Sequence, residues 1–279
     1  FAKLQGSFAL GILLPDRLIA VRDESGNRPL SIGKLGNGYC LSSETCAFPN
    51  VGATYVQDVE AGTMVTLSGD GFRVKRFATA SLNKCRFEHI YYSHPASTVF
   101  GDGVARFRMK VGEVLEELFP VIGADIVTPI PDSANSFAMG FAKSGRSGTC
   151  FQVIHRSHYG GRSFIAAPQA LRDAKVEQKF TFDANEIAGK IIVVLDDSIV
   201  RFTTLPKIVA RLRQLNAREV HIRIGSPPIM HPCTYGINTP THNELIATHL
   251  LPIEMCQRIG ADSLEFLPLE ALKKLSPNP

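Results

Sequence analysis

The longest unbroken apolar stretch of interest runs from Ile191 to Leu195 and ends abruptly in two carboxylates, Asp196 and Asp197. A short β-branched run without alternation predicts a parallel strand buried on both faces. The period then changes. Leu205, Ile208, Val209, Leu212 and Leu215 recur at helical spacing, and Pro206 suits a first helical turn, where its missing N–H costs nothing. Asp125 to Ile130 predicts a second apolar strand, ending in Pro131-Asp132-Ser133-Ala134. Val220 to Ile224 predicts a third, with Val220, Ile222 and Ile224 inward and alternating with His221 and Arg223. Val104 to Leu118 has helical character with a charged face of Arg106, Arg108, Lys110, Glu113, Glu116 and Glu117, read as solvated. Leu269 to Leu275 is a short amphipathic helix. Strand, polar loop and helix in succession describe an open α/β sheet, which binds ligands at the carboxyl ends of its strands.

Residues 1–78 follow a different pattern. Short apolar runs are separated by Pro15-Asp16, Ser25-Gly26-Asn27, Gly36-Asn37-Gly38 and Gly69-Asp70-Gly71, the spacing of β-hairpins. Phe8 to Leu14 is apolar enough to mimic the centre of a signal peptide. Pro15-Asp16 interrupts it and no small-residue cleavage site follows, so it reads as a core strand.

Composition narrows the class. With 279 residues, 44% hydrophobic and 20% charged, the chain is long enough for one large domain or two ordinary ones. A net charge of +4 suits small anionic ligands, but the basic residues are scattered, which argues against a nucleic-acid partner. No segment is long enough to span a bilayer, so no membrane partner is expected. Six cysteines without C-x-x-C spacing read as reduced thiols of a cytoplasmic protein, with Cys40 and Cys46 expected as buried structural thiols.

The chemistry centres on the loop after Leu195. Ser198, Thr203 and Thr204 offer hydroxyls, and the N–H groups entering the following helix form an anion site. Asp196 and Asp197 repel phosphate but accept hydrogen bonds from sugar hydroxyls. A phosphate cradle beside a diol acceptor describes a ribose-5-phosphate site. D-D-S-I-V-R followed by T-T resembles the phosphoribosylpyrophosphate (PRPP) loop of type I phosphoribosyltransferases, and more narrowly that of the glutamine PRPP amidotransferases. Phe202 stands where that family has glycine, and its ring either turns away or fills the cradle.

Other segments carry the same resemblance. Pro131-Asp132-Ser133-Ala134 is similar to the family's P-D-S-G loop, which receives pyrophosphate; by itself it reads as a helix N-cap through Asp132 or Ser133. His155 to Ile165 is similar to a loop that closes over PRPP, with Arg156, Tyr159 and Arg162 kept in kind and His158 in place of an arginine. Arg22-Asp23-x-x-Gly26-x-Arg28-Pro29-Leu30, Ser43 to Ala47 and Val59 to Gly62 resemble the second half of the family's glutaminase domain. That domain is an N-terminal-nucleophile hydrolase whose first residue is a cysteine. Phe1 occupies the first position here, so glutamine hydrolysis is not expected of these residues alone. Ser226 to Pro240 and Gly260 to Leu267 resemble further family segments. In iron–sulfur members, cysteines at the positions of Cys85 and Cys233 are two of four cluster ligands. Their two companions have no counterpart here, so the pair is expected to be vestigial and a cluster is not expected.

The resemblance implies the middle of a longer enzyme, truncated at both ends. Its implied fold is a type I phosphoribosyltransferase parallel sheet with flanking helices (79–279), preceded by a β-rich partial N-terminal-nucleophile glutaminase domain (1–78). Its implied reaction is formation of 5-phosphoribosylamine from PRPP and ammonia or glutamine in purine biosynthesis. Asp132, Ser133, Arg156, Arg162, Asp196, Asp197, Ser198, Thr203 and Thr204 would bind PRPP, and Asp196 and Asp197 are candidate Mg²⁺ ligands. Purine nucleotides and further copies of the chain are the other implied partners. Two alternatives stand beside this reading. One is a non-catalytic homologue acting as a nucleotide-binding or protein-interaction module; the other is a plain phosphoribosyltransferase using free ammonia or a base.

Overall fold

The structure, a computed structural model, describes residues 4–157, 179–237, 239 and 241–276. The chain divides into two compact units. The first runs to Phe107 and includes the segment beginning at Cys233. The second comprises Arg108–Pro232 and the stretch from Thr239 to Leu275.

The first unit is built from antiparallel hairpins. Strands β1 (Ala9–Leu13), β2 (Leu18–Arg22), β6 (Thr63–Ser68) and β7 (Gly71–Arg76) form one sheet in the order β1-β2-β6-β7. Strands β3 (Ser31–Leu35), β4 (Gly38–Ser42) and β5 (Thr54–Asp58) form another in the order β4-β3-β5, and the short helix α1 (Ala47–Asn50) leads into β5. Ala20, Val65 and Leu67 from one sheet share a core with Ile32 from the other. The alternation along β6, in which Thr63, Val65 and Leu67 are buried, is what a sheet with one core-facing side requires. The Phe8–Leu14 stretch is an edge strand, not a core strand, and Leu13 is 81% exposed. Among the described residues β2 is its one strand neighbour, so one edge of the apolar run is left uncovered by a strand. A two-residue bridge, β8 (Thr98–Val99) with β9 (Asp102–Gly103), precedes helix α2 (Val104–Leu118).

The second unit is a five-stranded parallel sheet. Its strands are β10 (Ile126–Pro129), β11 (Thr149–Cys150), β14 (Ile191–Asp196), β15 (Glu219–Ile224) and β16 (Ser263–Phe266), in the order β11-β10-β14-β15-β16. Every residue of β14 is buried, as its unbroken apolar run predicts. Burying each of its large aliphatic side chains contributes about 1.5–3 kcal/mol. Helices α3 (Asn135–Phe141), α5 (Leu205–Gln214), α6 (Pro252–Ile259) and α7 (Leu269–Leu275) accompany the sheet, with a short α4 (Ala184–Ile187) before β14. The buried face of α5 is Leu205, Ile208, Val209 and Leu212, the residues its period selects. Strands β12 (Ile154–Arg156) and β13 (Phe180–Phe182) form an antiparallel pair.

Three charged residues read as solvent-facing or left unassigned are buried. Arg108 and Glu116 sit on the inner side of α2, at 2% and 3% exposure, not on a solvated face. Glu116 is compensated there by the Arg146 guanidinium at 2.6 Å and the Ser147 hydroxyl at 3.1 Å. Arg223 of β15 is buried too, donating to the carbonyls of Phe119 and Ile222 and to Ser263 Oγ. Its burial brings the guanidinium down to about 10, with the Glu265 charge opposing. Cys40 and Cys46 are half-buried, whereas Cys256 is the buried cysteine.

Candidate functional site

The order of the parallel sheet reverses between two strands. From β10 the chain proceeds outward to β11; β14 then begins the run through β15 to β16 on the other side. In an open parallel sheet the carboxyl ends of the strands at such a reversal leave a crevice for ligand. The register Pro129 to Leu195 places the 130–134 loop beside Asp196 and Asp197. The residues after β14 thus face those after β10 at the switch point.

The acid pair is buried, at 8% exposure for Asp196 and 5% for Asp197. The Asp197 N–H donates to Asp196 Oδ1 at 2.9 Å, and the Ser198 hydroxyl donates to Asp197 Oδ2 at 2.5 Å. Burial pushes the Asp196 carboxyl well above the ordinary carboxylate range, and the adjacent Asp197 charge adds to this. Such a pair gains from hydroxyl donors or from a cation, either of which lets it carry its charge. The fit to a divalent ion is therefore favourable in donor type and charge.

Beyond the pair the chain turns through Ile199 to Thr204 into α5. Thr204 is the N-cap and makes no side-chain capping bond, so no hydroxyl competes for the donors of the first turn. Phe202 adopts a left-handed backbone, φ 56°, the conformation glycine takes most readily. Its ring packs against the core that holds Ile199, Leu205 and Ile208. Of the two orientations open to that ring, the structure shows it turned into the core.

On the β10 side, neither Asp132 nor Ser133 caps α3. Ala134 occupies the N-cap and no side chain closes it. Asp132 is exposed and pairs with Arg156 at 2.7 Å, which brings the predicted lid cation to the predicted pyrophosphate loop. Arg162, together with His158 and Tyr159, lies outside the described residues.

Two buried polar atoms at this end of the sheet have no hydrogen-bond partner among the described residues: Asn135 Oδ1 at the start of α3 and Ser226 Oγ, two residues beyond β15. Buried polar atoms are nearly always satisfied, so exceptions grouped at one sheet end point to a missing ligand or water. Gly225, which precedes Ser226, allows the close approach of this third loop. A Cβ there would meet the Phe137 ring of α3 at 2.6 Å, and the Gly225 N–H donates to the Asp196 carbonyl at 2.8 Å.

No family model matches the chain. Amidophosphoribosyltransferase of Bacillus subtilis is 43% identical over 276 residues, covering 98% of this chain and 57% of that protein. Chloroplastic amidophosphoribosyltransferase 2 of Arabidopsis thaliana is 44% identical over 275 residues, covering 98% of this chain and 48% of that protein. A solved glutamine PRPP amidotransferase from B. subtilis, complexed with ADP and GMP, superposes with a TM-score of 0.88 at 42% identity, over 96% of this chain and 59% of that one. Over nearly its whole length the chain is similar to amidophosphoribosyltransferases. It spans about half the length of the curated relatives it matches. Its fold is that of the solved PRPP amidotransferase: a phosphoribosyltransferase-type parallel sheet preceded by antiparallel glutaminase-type sheets.

Cys85 and Cys233 are the two cysteines expected to be vestigial cluster positions. Both belong to the first unit and both act electrostatically on the Tyr92 phenol. Burial pushes the Cys85 thiol up, and Cys233 Sγ accepts the Tyr235 N–H at 3.3 Å. Among the described residues no group of three or more His, Cys, Asp or Glu is placed to hold a metal. Nearby, a cavity of about 570 Å³ within the first unit is lined by Arg28, Glu44, Glu88, Tyr92 and Tyr235. Arg28 and Glu88 already pair at 2.6 Å, so the cavity presents no unmet charge from them.

Sequence reasoning missed Asn135 and Ser226 at the switch-point site, and Glu244, which pairs with Arg201 of the loop after β14 at 2.6 Å. For Glu244 a local signal existed, the T-x-x-E spacing of Thr241 and Glu244, which marks a helix start. Nothing in the local pattern singles out the other two.

Proposed function

We propose that this chain carries the phosphoribosyl-transferring site of an amidophosphoribosyltransferase and takes PRPP as its substrate. The observation that supports this most strongly is the buried Asp196–Asp197 pair at the switch point, joined to an uncapped helix N-terminus by the hydroxyl-bearing 198–204 loop. In this reading the acid pair accepts the ribose 2- and 3-hydroxyls. Ser198, Thr203, Thr204 and the first-turn N–H groups hold the 5-phosphate. Asp132 and Ser133 line the pyrophosphate side, where Arg156 and Arg162 supply cationic cover. The related enzyme solved with ADP and GMP supports the site class, because both nucleotides contain a ribose 5-phosphate.

Asp196 and Asp197 would hold Mg²⁺ together with oxygens of the ligand, and the ion would neutralise charge on the leaving pyrophosphate. The chain's own part is placement. Ammonia attacks C1 of the ribose, the bond from C1 to the pyrophosphate oxygen breaks, and pyrophosphate leaves with both bonding electrons. The attacking nitrogen then gives up a proton. Holding the ribose at both ends fixes C1 between nucleophile and leaving group, the positional form of catalysis. A lid contributed by Arg156 and its neighbours would exclude water that otherwise competes for C1.

The assignment extends to residues 1–78 as a glutaminase-type portion and 79–279 as the transferase-type domain, acting in a cytoplasmic homo-oligomer that responds to purine nucleotides. The direct test is release of pyrophosphate from PRPP in ammonium chloride and Mg²⁺. Release that depends on ammonium supports the transferase reading. Binding without release would support a nucleotide-binding homologue instead.

A further inference from the structure

The phosphate loop is tethered from outside. Arg201 donates to Glu244 Oε2 through Nε at 2.9 Å and Nη2 at 2.6 Å. One residue earlier, the Val200 carbonyl accepts the Ile246 N–H at 3.0 Å. The segment supplying both contacts, residues 241–250, is itself anchored. Leu245, Ala247 and Leu250 are buried, and the Thr248 hydroxyl donates to the carbonyls of Leu245 and His242. The next residue of the loop, Phe202, holds the left-handed backbone and sends its ring into the core. Residues 200, 201 and 202 are thus fixed in sequence by a backbone bond, an ion pair and an apolar contact.

We propose that Glu244 is a positioning residue for the 5-phosphate, acting through Arg201 to hold the 198–204 loop in the form that presents its hydroxyls and N–H groups. The inference rests on the phosphoribosyl reading of the site. A loop that occupies its competent form only part of the time binds with an affinity reduced by that fraction. Asp132 and Ser133 lie on the other strand end, so the pyrophosphate side does not depend on the tether.

Arg201 and Glu244 side chains are 49% and 34% exposed, which limits the effect. Removing either should weaken binding about twofold to fivefold, the range of a well-formed but partly solvated pair. The experiment is calorimetric titration of the full chain with ribose 5-phosphate plus Mg²⁺ and, separately, with pyrophosphate plus Mg²⁺. The proteins are the unsubstituted chain, Glu244→Ala, Arg201→Ala and the double variant. The clamp requires a loss for ribose 5-phosphate in each single variant, no further loss in the double, and unchanged pyrophosphate affinity. Amide exchange at residues 198–204 should quicken in both single variants. Equal losses for both ligands would mean a general structural role and overturn the proposal, as would unchanged ribose 5-phosphate affinity with unchanged exchange. If the unsubstituted chain binds neither ligand, the phosphoribosyl reading itself fails and the clamp falls with it.

Discussion

Phe202 offers a sharp test because two opposing effects meet in one side chain. Its backbone is left-handed, φ 56°, a conformation costing an L-residue about 1–2 kcal/mol. Its ring is partly buried against the core around Ile199, Leu205 and Ile208, a contact worth about 1–2 kcal/mol on the scale of full aromatic burial. Phe202→Ala removes the ring and keeps the backbone cost, so stability should fall by about 1–2 kcal/mol. Phe202→Gly removes the same ring but relieves the backbone. Relief of about 1–2 kcal/mol outweighs the extra chain entropy of glycine, about 0.5–1 kcal/mol. The glycine variant should therefore be more stable than the alanine variant by about 0.5–1 kcal/mol, the reverse of the order expected in regular secondary structure. The chain has no tryptophan, so urea unfolding is best followed by far-UV circular dichroism. Because the ring points into the core, neither substitution should raise ribose 5-phosphate affinity by more than about threefold. An alanine variant as stable as the glycine variant would refute the left-handed placement. A tenfold gain in phosphate affinity on removing the ring would show that the ring had occupied the cradle.

Three further outcomes follow from particular contacts. Asp262 accepts the Val220 N–H at 2.6 Å and the Arg213 guanidinium at 2.5 Å. Burial raises its carboxyl, but these two donors prevail and leave it below the usual 3.8. A depressed folded value stabilises above the unfolded value and is lost as pH falls through the folded one. Asp262→Asn should therefore flatten the acid limb of the stability profile below 3.8, and an unchanged limb would contradict the bond set. Helices α2 and α3 touch through Gly140, where an added Cβ would overlap the Met109 carbonyl. Gly140→Ala should thus cost about 1–3 kcal/mol in urea unfolding, whereas a neutral result would contradict the close approach. Arg156 and Asp132 are both more than half exposed, so Arg156→Ala should change stability by less than about 0.5 kcal/mol. The same variant should weaken pyrophosphate binding about tenfold by calorimetry, and unaltered binding would remove Arg156 from the lid.

Much of the second unit was legible because its signals are local. The Ile191–Leu195 run, the period of Leu205 to Leu212 and the acid pair between them require no knowledge of distant residues. Phe8 to Leu14 misled because an apolar run reveals attraction to a core, not how many neighbours a strand will have. Arg108, Glu116 and Arg223 misled for a related reason. The burial of Glu116 and Arg223 depends on partners brought from Arg146, Ser147, Phe119 and Ser263, which no window around them contains. Phe202 left two orientations open since a single residue's sequence context does not say where its ring goes. Asn135 and Ser226 stand out only as buried atoms without a partner among the described residues, a property of the folded sheet end.

The most direct measurement is calorimetric titration of the chain with PRPP and Mg²⁺, beside Asp196→Asn and Asp197→Asn variants. The account predicts binding by the unsubstituted chain and a loss of about tenfold or more in each variant, since each removes an acceptor for ribose hydroxyls and a charge for the cation. Circular dichroism should show both variants folded. Absence of binding by the unsubstituted chain, or equal affinity in all three proteins, would contradict the assignment of the switch-point acid pair as the ribose site.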